Sequence, residues 1–241
     1  MAVSILALTA ISTSSCYIRI SKEAKEEIKD RIRFKTEMNE VVYDKTDSLI
    51  FSPGVFTAME NNSGLDVNFI QSDGEPKVVV TGTYKSRDSV RVENIDGTLH
   101  IGYRTGNLGI FISHDEEVTV FAPALEKLVN KGSGDVAFIG TYEGGGLEIL
   151  NIGSGDFIFD RSIINGPLSL TNQGSGDIDF GDTRIDGSLT IANKGSGDVA
   201  IKGKAGDTVV TNQGSGDVII SGLETLSIDV TSKGSGEVKR R

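Results

Sequence analysis

The chain is poor in several residue types, and each scarcity excludes a class of protein. Tryptophan is absent, and the single cysteine, Cys16, excludes an intramolecular disulfide and a thiolate cluster for zinc or iron–sulfur. The 34 acidic residues outnumber the 24 basic ones, which gives a formal net charge of -10. This charge argues against nucleic acid as a partner, because phosphate affinity comes from clustered Lys and Arg.

The N-terminal segment resembles an export signal. An apolar run from Ala2 to Ile11 is followed by small hydroxylated residues and then by Cys16. The run is too short to span a bilayer. Residues 1–16 are therefore predicted to be a bacterial lipoprotein signal segment with Cys16 as the lipidation site. A cleaved secretory signal and a buried N-terminal strand are the alternatives.

Two further regions follow this segment. Residues 17–48 are dense in alternating charge, with Ala24, Ile28 and Ile32 spaced four apart, and are predicted to be a solvated tether or a short surface helix. From residue 49 the sequence alternates in short strand-like runs separated by turn residues such as Asp96-Gly97. Residues 49–241 are predicted to form one all-β domain, with degenerate coils over 49–128 and regular repeats over 129–241.

Glycine is abundant, with 30 copies, and much of it recurs with a regular period. The tripeptide Gly-Ser-Gly occurs six times, and its copies begin at Gly132, Gly153, Gly174, Gly195, Gly214 and Gly234. The spacings between successive copies are 21, 21, 21, 19 and 20. A period of about 20 residues in strand-like sequence is typical of a solenoid.

Each repeat carries two strand patterns, one on either side of the Gly-Ser-Gly turn. Leu147 and Ile149 lie upstream of one turn, and Phe157 and Phe159 lie downstream of it, each pair two positions apart. We therefore expect a single-stranded right-handed parallel β-helix, because parallel crossovers are almost always right-handed. Six regular coils and about three degenerate ones, stacked about 4.8 Å apart, would make a rod on the order of 40 Å long.

In most repeats, the inward-facing positions of the strand before the turn end at an asparagine. An unpaired buried amide costs about 1–3 kcal/mol, but stacked side-chain amides can each donate to the side-chain carbonyl of the next asparagine in the stack. The sequence therefore predicts a structural asparagine ladder made of Asn130, Asn151, Asn172, Asn193 and Asn212, with Ser232 in the last position.

An acidic residue follows each Gly-Ser-Gly turn: Asp135, Asp156, Asp177, Asp198, Asp217 and Glu237. Carboxylates stacked about 4.8 Å apart repel by roughly 1 kcal/mol in water, so something must offset the repulsion. The favoured explanation is that each Asp accepts hydrogen bonds from the amides of its own turn. A weak cation-binding edge is the alternative; calcium-binding nonapeptide repeats need a second Gly-rich turn in each coil, which this sequence lacks.

The sequence motifs give little support for a catalytic or cofactor site. Gly-Ser-Gly-Asp-Val-Ala fits a variant dinucleotide fingerprint, but a strand-like run follows it where that motif needs a helix. Neither His100 nor His114 belongs to a catalytic or metal-binding motif. We expect no cofactor and no bound metal. Arg161 and Arg184 lie near acids at similar phases of the repeat and favour a salt-bridged face over a lyase centre.

Three stretches carry a resemblance to a known family. The repeated GSGD turns, together with FTAMENNSGLDVNFIQ and VTVFAPALEKLVNKGSGDV, resemble a family of proposed Bacteroidetes adhesins with an auto-transporter-like head domain. The resemblance covers roughly residues 49–238. It implies a right-handed β-helix related in shape to pectin lyases, without their catalytic residues, that is exported to the envelope or surface. Where the adhesin head has Gly-Ile-Asn, this chain has Gly64-Leu65-Asp66.

The sequence thus predicts a non-catalytic exported protein in the periplasm or at the outer membrane or cell surface. Its partner is predicted to be a glycan or a protein, bound along the β-helix near Thr171, Gln173, Thr211 and Gln213. The membrane would be reached only through a lipid anchor at Cys16, and the oligomeric state is left open. A β-helix polysaccharide lyase or hydrolase and a structural envelope protein without a ligand are the alternatives.

Overall fold

Strands make up nearly all the regular structure of the computed structural model, which describes residues 48–82, 87–104 and 116–240. All of them lie within one compact unit, Tyr43–Arg241. The predicted signal segment 1–16 with Cys16, and the predicted tether 17–48 apart from Ser48, lie outside the described residues. No helix in the described part of the chain is long and apolar enough to cross a membrane.

The described residues contain eighteen strands. They are β1 (Ser48–Phe51), β2 (Ala58–Asn61), β3 (Val67–Gln71), β4 (Lys77–Thr81), β5 (Val90–Ile95), β6 (Thr98–Tyr103), β7 (Glu117–Ala122), β8 (Lys127–Asn130), β9 (Val136–Gly144), β10 (Leu147–Asn151), β11 (Phe157–Ile164), β12 (Leu168–Asn172), β13 (Ile178–Ile185), β14 (Leu189–Asn193), β15 (Val199–Asn212), β16 (Val218–Ile219), β17 (Leu223–Ser232) and β18 (Val238–Lys239).

From β8 onward the strands stack in parallel, so that equivalent positions of successive repeats lie side by side. Leu147 lies beside Leu168, and Leu168 lies beside Leu189. Leu189 then pairs with Thr208, because the repeat between them is shorter by two positions. The register therefore follows the spacing of the Gly-Ser-Gly turns. The predicted fold class, an all-β parallel β-helix with coils of about 20 residues, is confirmed.

Each coil has three sides. The first side is the strand that ends at the asparagine, such as β12, and the second side follows the Gly-Ser-Gly turn, as in the start of β13. A break in register between Phe159 and Arg161 of β11 separates the second side from the third, which then leads to the first side of the next coil.

Side chains of alternating parity fill the interior. On the second side Phe138, Phe159 and Phe180 stack in register, with ring centroids 4.0 and 4.1 Å apart. Each buried Phe contributes about 1.5–3 kcal/mol of transfer free energy, and stacked pairs add about 0.5–1.5 kcal/mol. Tyr142 on the third side meets this stack edge-on and donates its hydroxyl to Leu125 O at 2.6 Å. The aromatic column thus ties neighbouring coils together.

The N-terminal coils do not follow sequence order. Strands β2 and β3 pair with β8 and β9 on one side, so Met59 lies beside Leu128 and Phe69 beside Phe138. On their other side they pair with β6 and β7, where Met59 lies beside Leu99. The coil β2–β3 therefore lies between two coils that come later in the chain.

Three antiparallel strands pair with these coils and with each other. Strand β5 pairs with β6 through the hairpin at Asp96-Gly97, where both residues have positive φ values of 51° and 79°. Strand β4 pairs with β7, and β1 pairs with β4. Residues 48–126 therefore supply two coils and these antiparallel strands, where the sequence pattern predicted about three degenerate coils. Period-two alternation is the same for parallel and antiparallel strands, so the sequence pattern could not separate them.

Candidate functional site

The Gly-Ser-Gly turns form a continuous corner between the first and second sides. A Cβ atom built on Gly174 would lie 1.8 Å from Gly153 O, and one built on Gly176 would lie 2.0 Å from Gly155 O. At both glycine positions of a turn, a side chain would collide with a main-chain carbonyl of the preceding coil. The serine between them, such as Ser175, faces outward and is exposed.

The corner begins one coil before the first Gly-Ser-Gly turn. A Cβ on Gly132 would lie 1.7 Å from Ser63 O, and one on Gly134 would lie 2.0 Å from Leu65 O. Ser63 and Leu65 thus occupy the two glycine positions of the first corner. Both side chains are buried in this coil, and the hydroxyl of Ser63 donates to Asn61 Oδ1 at 2.8 Å.

The predicted ladder asparagines lie inside this corner, where each is 0% exposed. Asn172 Nδ2 donates to Gly176 O at 2.9 Å in its own coil and to Gly197 O at 3.2 Å in the next. Asn172 Oδ1 accepts the N–H of Gly174 at 3.2 Å. Asn151 and Asn193 make the same pair of donor bonds. Asn130 and Asn212 donate to the second glycine of their own turn.

These bonds differ from the predicted ones in their acceptors. We expected amide-to-amide bonds along the ladder, whereas Asn172 bonds main-chain groups of the two corners it bridges. Asn61 is a further member that the repeat analysis missed, since it is 0% exposed and donates to Leu65 O at 2.9 Å. The spacing of five from Asn61 to Asp66, which matches that from Asn130 to Asp135, could have revealed it.

The predicted acidic edge runs along the same corner. Asp177 Oδ1 accepts the N–H of Asp198 at 2.7 Å, and the N–H of Asp177 is donated to Asp156 Oδ1 at 2.7 Å. The series begins at Asp66, which accepts the N–H of Asp135, and ends where Asp217 accepts the N–H of Glu237. The carboxylates therefore cap the turn of the following coil and not their own turn. The sequence pattern could not distinguish these two donors, because both are turn amides close to the carboxylate.

The surroundings of the acidic edge shift the pKa values of four of its aspartates. Burial raises the pKa of Asp135, Asp156 and Asp177; the N–H bond from the next coil partly opposes this, and the charge of the next aspartate adds to it. Asp217 differs, because a hydrogen bond from Lys239 holds its pKa below the ordinary value. The described residues contain no cluster of three or more His, Cys, Asp or Glu side chains suited to a metal ion. The weak cation edge along Asp135, Asp156, Asp177, Asp198 and Asp217 stays a prediction.

Outside the corner lies an open groove of about 480 Å³ that runs across five coils. We call it the corner groove. Its lining consists of Gly-Ser-Gly backbone, exposed serines and one longer side chain from each of several coils. The residues that supply side chains are Ile152, Ser154, Gln173, Ser175, Lys194, Ser196, Gln213, Ser215 and Ser235. Of the predicted outward residues, Gln173 and Gln213 line this groove, and Thr171 and Thr211 lie half-buried on the first side.

Comparison with known proteins gives one family match. Residues 55–240 match the model of the family described as "Putative auto-transporter adhesin, head GIN domain". The chain belongs to this family. The resemblance seen in the sequence is therefore confirmed, and the adhesin-head match spans the described coils from β2 to β18.

Three solved structures of Bacteroidetes proteins are similar to this adhesin-head chain. A putative adhesin from Bacteroides fragilis is 18% identical with a TM-score of 0.63, and the match covers 80% of this chain and 96% of that one. A putative adhesin from Parabacteroides merdae is 16% identical with a TM-score of 0.45, covering 83% and 97%. A putative lipid binding protein from Parabacteroides distasonis is 19% identical with a TM-score of 0.46, covering 79% and 95%. A search of curated proteins gave no match. At 18% identity, the similarity to the Bacteroides fragilis protein shows a shared fold and nothing further.

The two candidate arginines of this adhesin head lie on its third side, away from the corner. Arg161 Nη2 lies 3.2 Å from Asp182 Oδ2, and both side chains are more than half exposed. Arg184 makes two hydrogen bonds to Asp186, at 2.9 and 2.8 Å. His100 lies 3.6 Å from Glu60, and His114 is outside the described residues. The arginines thus take part in solvated ion pairs on an exposed face.

Proposed function

We propose that this chain is an exported, non-catalytic adhesin-type protein that binds an extended, uncharged glycan along the corner groove. The observation that carries the proposal is the repetition in the groove itself. A serine hydroxyl recurs at every coil, about 4.8 Å apart, and the carboxamides of Gln173 and Gln213 lie two coils apart on either side of Lys194. One groove therefore presents the same donors and acceptors several times. A polymer of repeating hydroxylated units can pair with such an array at several points.

The chemistry of the lining supports binding over catalysis. Among the described residues that line the groove, Lys194 is the only charged one, and the others are Ser, Gln, Gly and Ile152. In each aspartate of the neighbouring acidic edge, one carboxylate oxygen accepts a main-chain N–H, as Asp177 Oδ1 does. No acid–base pair of described side chains therefore faces the groove, and glycoside cleavage needs such a pair or an equivalent.

Weak contacts repeated along a polymer add up, which suits an adhesin. A single hydroxyl–amide hydrogen bond contributes about 0.5–1.5 kcal/mol. Several of them along one chain provide affinity without a deep pocket, and linked contacts gain from effective concentration. The membership of the chain in an adhesin-head family supports the same conclusion.

A glycan array probed with the full chain tests the proposal. The double variant Gln173→Ala/Gln213→Ala removes two carboxamides from the groove, and we expect it to weaken binding of any array hit by at least about tenfold. Glu143→Ala/Glu148→Ala, which changes two exposed residues outside the groove, is the matched control and should bind like the parent. Equal binding by the parent and the groove variant would refute the groove as the site. Release of reducing or unsaturated sugar by the parent would refute the non-catalytic assignment.

Export and anchoring at Cys16 belong to the same proposal. Lipidation of Cys16 would hold the folded body at a membrane, stably only in a multiply acylated form. Labelling cells with radioactive palmitate compares the parent with Cys16→Ala. We expect label on the parent alone; equal label on both proteins would rule out the anchor.

A further inference from the structure

The coils along the corner groove differ in length, but the difference does not reach the corner. The Gly-Ser-Gly turns that line the groove follow one another at spacings of 21, 21, 19 and 20 residues. Phe180 pairs with Ile201, 21 positions later, whereas Leu189 pairs with Thr208, 19 positions later. The two residues that the shorter coil lacks are therefore lost between Phe180 and Leu189, on the third side and at its ends. The corner keeps the same geometry from coil to coil.

The longer side chains of the groove start from equivalent backbone positions. The N–H groups of Gln173, Lys194 and Gln213 each donate to the main-chain oxygen of the ladder asparagine in the preceding coil, with N···O distances of 2.7 Å. The serines of the turns are held in the same way, since the N–H groups of Ser196 and Ser215 donate to the first glycine of the preceding turn at 2.9 Å. The side chains therefore recur in an even row with a step of one coil, about 4.8 Å.

Two periods run along this row. A serine hydroxyl recurs at every coil, as at Ser175 and Ser196, whereas the two carboxamides, Gln173 and Gln213, lie two coils apart. Lys194 occupies the coil between the carboxamides, and all three long side chains are exposed. The groove therefore has a short period of one coil and a long period of two coils, roughly 9.6 Å.

A β-1,4-linked hexopyranose chain has the same two periods. Its equatorial linkages keep the chain extended, so each sugar advances it by nearly the thickness of one coil. Successive sugars are turned over relative to each other, so the same edge faces the same way at every second sugar. An α-1,4-linked chain, by contrast, curls into a helix and leaves a straight row after a few sugars. On the basis of the glycan-binding function proposed above, we infer that the ligand is a β-1,4-linked chain lying parallel to the rod axis, with one sugar per coil.

The chemistry of the row fits the two edges of such a chain. A serine hydroxyl and a carboxamide both donate and accept, so they can pair with sugar hydroxyls, which do the same. The ammonium of Lys194 only donates, so it suits the ring and linkage oxygens, which carry no hydrogen and only accept. Ile152, which is 44% exposed at one end of the groove, offers an apolar contact to the C–H face of a sugar. Because the groove crosses five coils, it should hold five sugars.

Oligosaccharides of defined linkage and length test this inference on the full chain. The probes for isothermal titration calorimetry are cello-, manno- and N-acetylchito-oligosaccharides of two to seven sugars, with malto-oligosaccharides of the same lengths as the α-1,4-linked comparison. We expect at least one β-1,4 series to gain affinity with each sugar up to about five, the number of coils in the groove, and to bind at five sugars at least about tenfold more tightly than the malto series. A malto series that binds as tightly, or a gain that stops at two or three sugars, would overturn the inference.

These measurements separate the linkage of the ligand from the binding function itself. If no β-1,4 series binds, but another glycan from the array is held by the parent and lost in Gln173→Ala/Gln213→Ala, the inference fails and the proposed function stands. If no glycan binds at all, both fail.

An exchange of two groove residues tests the two-coil period. Lys194→Gln/Gln213→Lys keeps the composition and the net charge but moves the second carboxamide to the coil next to Gln173, where it meets the opposite edge of the chain. Both positions are exposed, so the melting temperature should match that of the parent, while the Kd for the five-sugar probe rises about tenfold. Lys204→Glu/Glu224→Lys, which reverses an exposed ion pair between neighbouring coils on the third side, is the matched control and should bind like the parent. Equal binding by the groove exchange and the parent would show that the carboxamide spacing does not matter, and would overturn the inference.

Discussion

Replacing Asn172 with alanine removes three hydrogen bonds from the centre of the rod. The amide bridges Gly176 O and Gly197 O and accepts the N–H of Gly174, at 2.9, 3.2 and 3.2 Å. The side chain is 0% exposed, so water cannot replace it without entering the corner. The substitution also leaves a small polar cavity between two coils.

The free energy of unfolding lost in Asn172→Ala depends on whether the three main-chain groups lose all their hydrogen-bond partners. They do not, because Gly174 N–H also bonds Asn151 O, Gly176 O also accepts from Asn151, and Gly197 O also accepts from Asn193. The loss is therefore about 0.5–1.5 kcal/mol per bond and not the full cost of an orphaned group. We expect Asn172→Ala to lower the free energy of unfolding by about 2–4 kcal/mol.

Two comparisons sharpen this value. Asn212 makes one donor bond where Asn172 makes two, so Asn212→Ala should cost about 1 kcal/mol less. Ser232→Ala, at the exposed end of the ladder, should change stability by less than about 0.5 kcal/mol. The order Asn172, Asn212, Ser232 follows the number of bonds each side chain makes.

Urea unfolding followed by far-UV circular dichroism measures these differences. Because a solenoid can unravel coil by coil, hydrogen exchange at the Gly174 and Gly195 amides should be measured in parallel. If Asn172→Ala costs no more than Ser232→Ala, the amides only fill space and the bonding argument is refuted.

Three further predictions concern the same corner. Gly174→Ala would place a Cβ 1.8 Å from Gly153 O and should cost at least about 3 kcal/mol or prevent folding, whereas Gly145→Ala, with open space around its Cβ, should melt like the parent. Asp177→Asn keeps an acceptor for Asp198 N–H but removes a half-buried charge, so it should raise the melting temperature at pH 7, whereas Asp177→Ala should lower it. Because folding raises the pKa of Asp177, its contribution to stability is present below the ordinary carboxyl pKa and is lost as pH rises through the folded value. The advantage of Asn over Asp should therefore shrink on acidification, and an advantage that grows would contradict the assigned pKa direction. Calcium should leave the melting temperatures of the parent and of Asp177→Asn unchanged, since the capping oxygen already accepts a main-chain N–H; a calcium-dependent rise confined to the parent would favour the cation edge.

The regular half of the fold could be predicted from the sequence because its signal is repeated. The spacing of the Gly-Ser-Gly turns determined the coil length, and the parity of Leu168, Leu170 and Asn172 determined which side chains face inward, as their burial shows. Each inference was drawn from several copies of the same pattern.

The remaining features depend on contacts that no local pattern encodes. The stacking of β2 between β6 and β8 is set by which coils meet in space, and alternation along β2 is the same for either neighbour. The donor to Asp177 lies in another coil, although its own turn offers equally close amides in sequence. The corner groove likewise follows from register, since Gln173 and Gln213 belong to different repeats and line one groove only when the coils stack.

The position of coil β2–β3 between β6–β7 and β8–β9 gives the molecule a direction of assembly. Residues 58–71 cannot complete either of their interfaces until residues 98–138 have been synthesised and have closed around them. These pairings join residues that are far apart in the sequence, so they have a high contact order. Their formation should therefore be the slow step of folding. Beyond these strands, each coil adds to a finished template and contacts only its neighbours. A regular coil beyond β9 could therefore be added or removed without disturbing the contacts of β2 and β3.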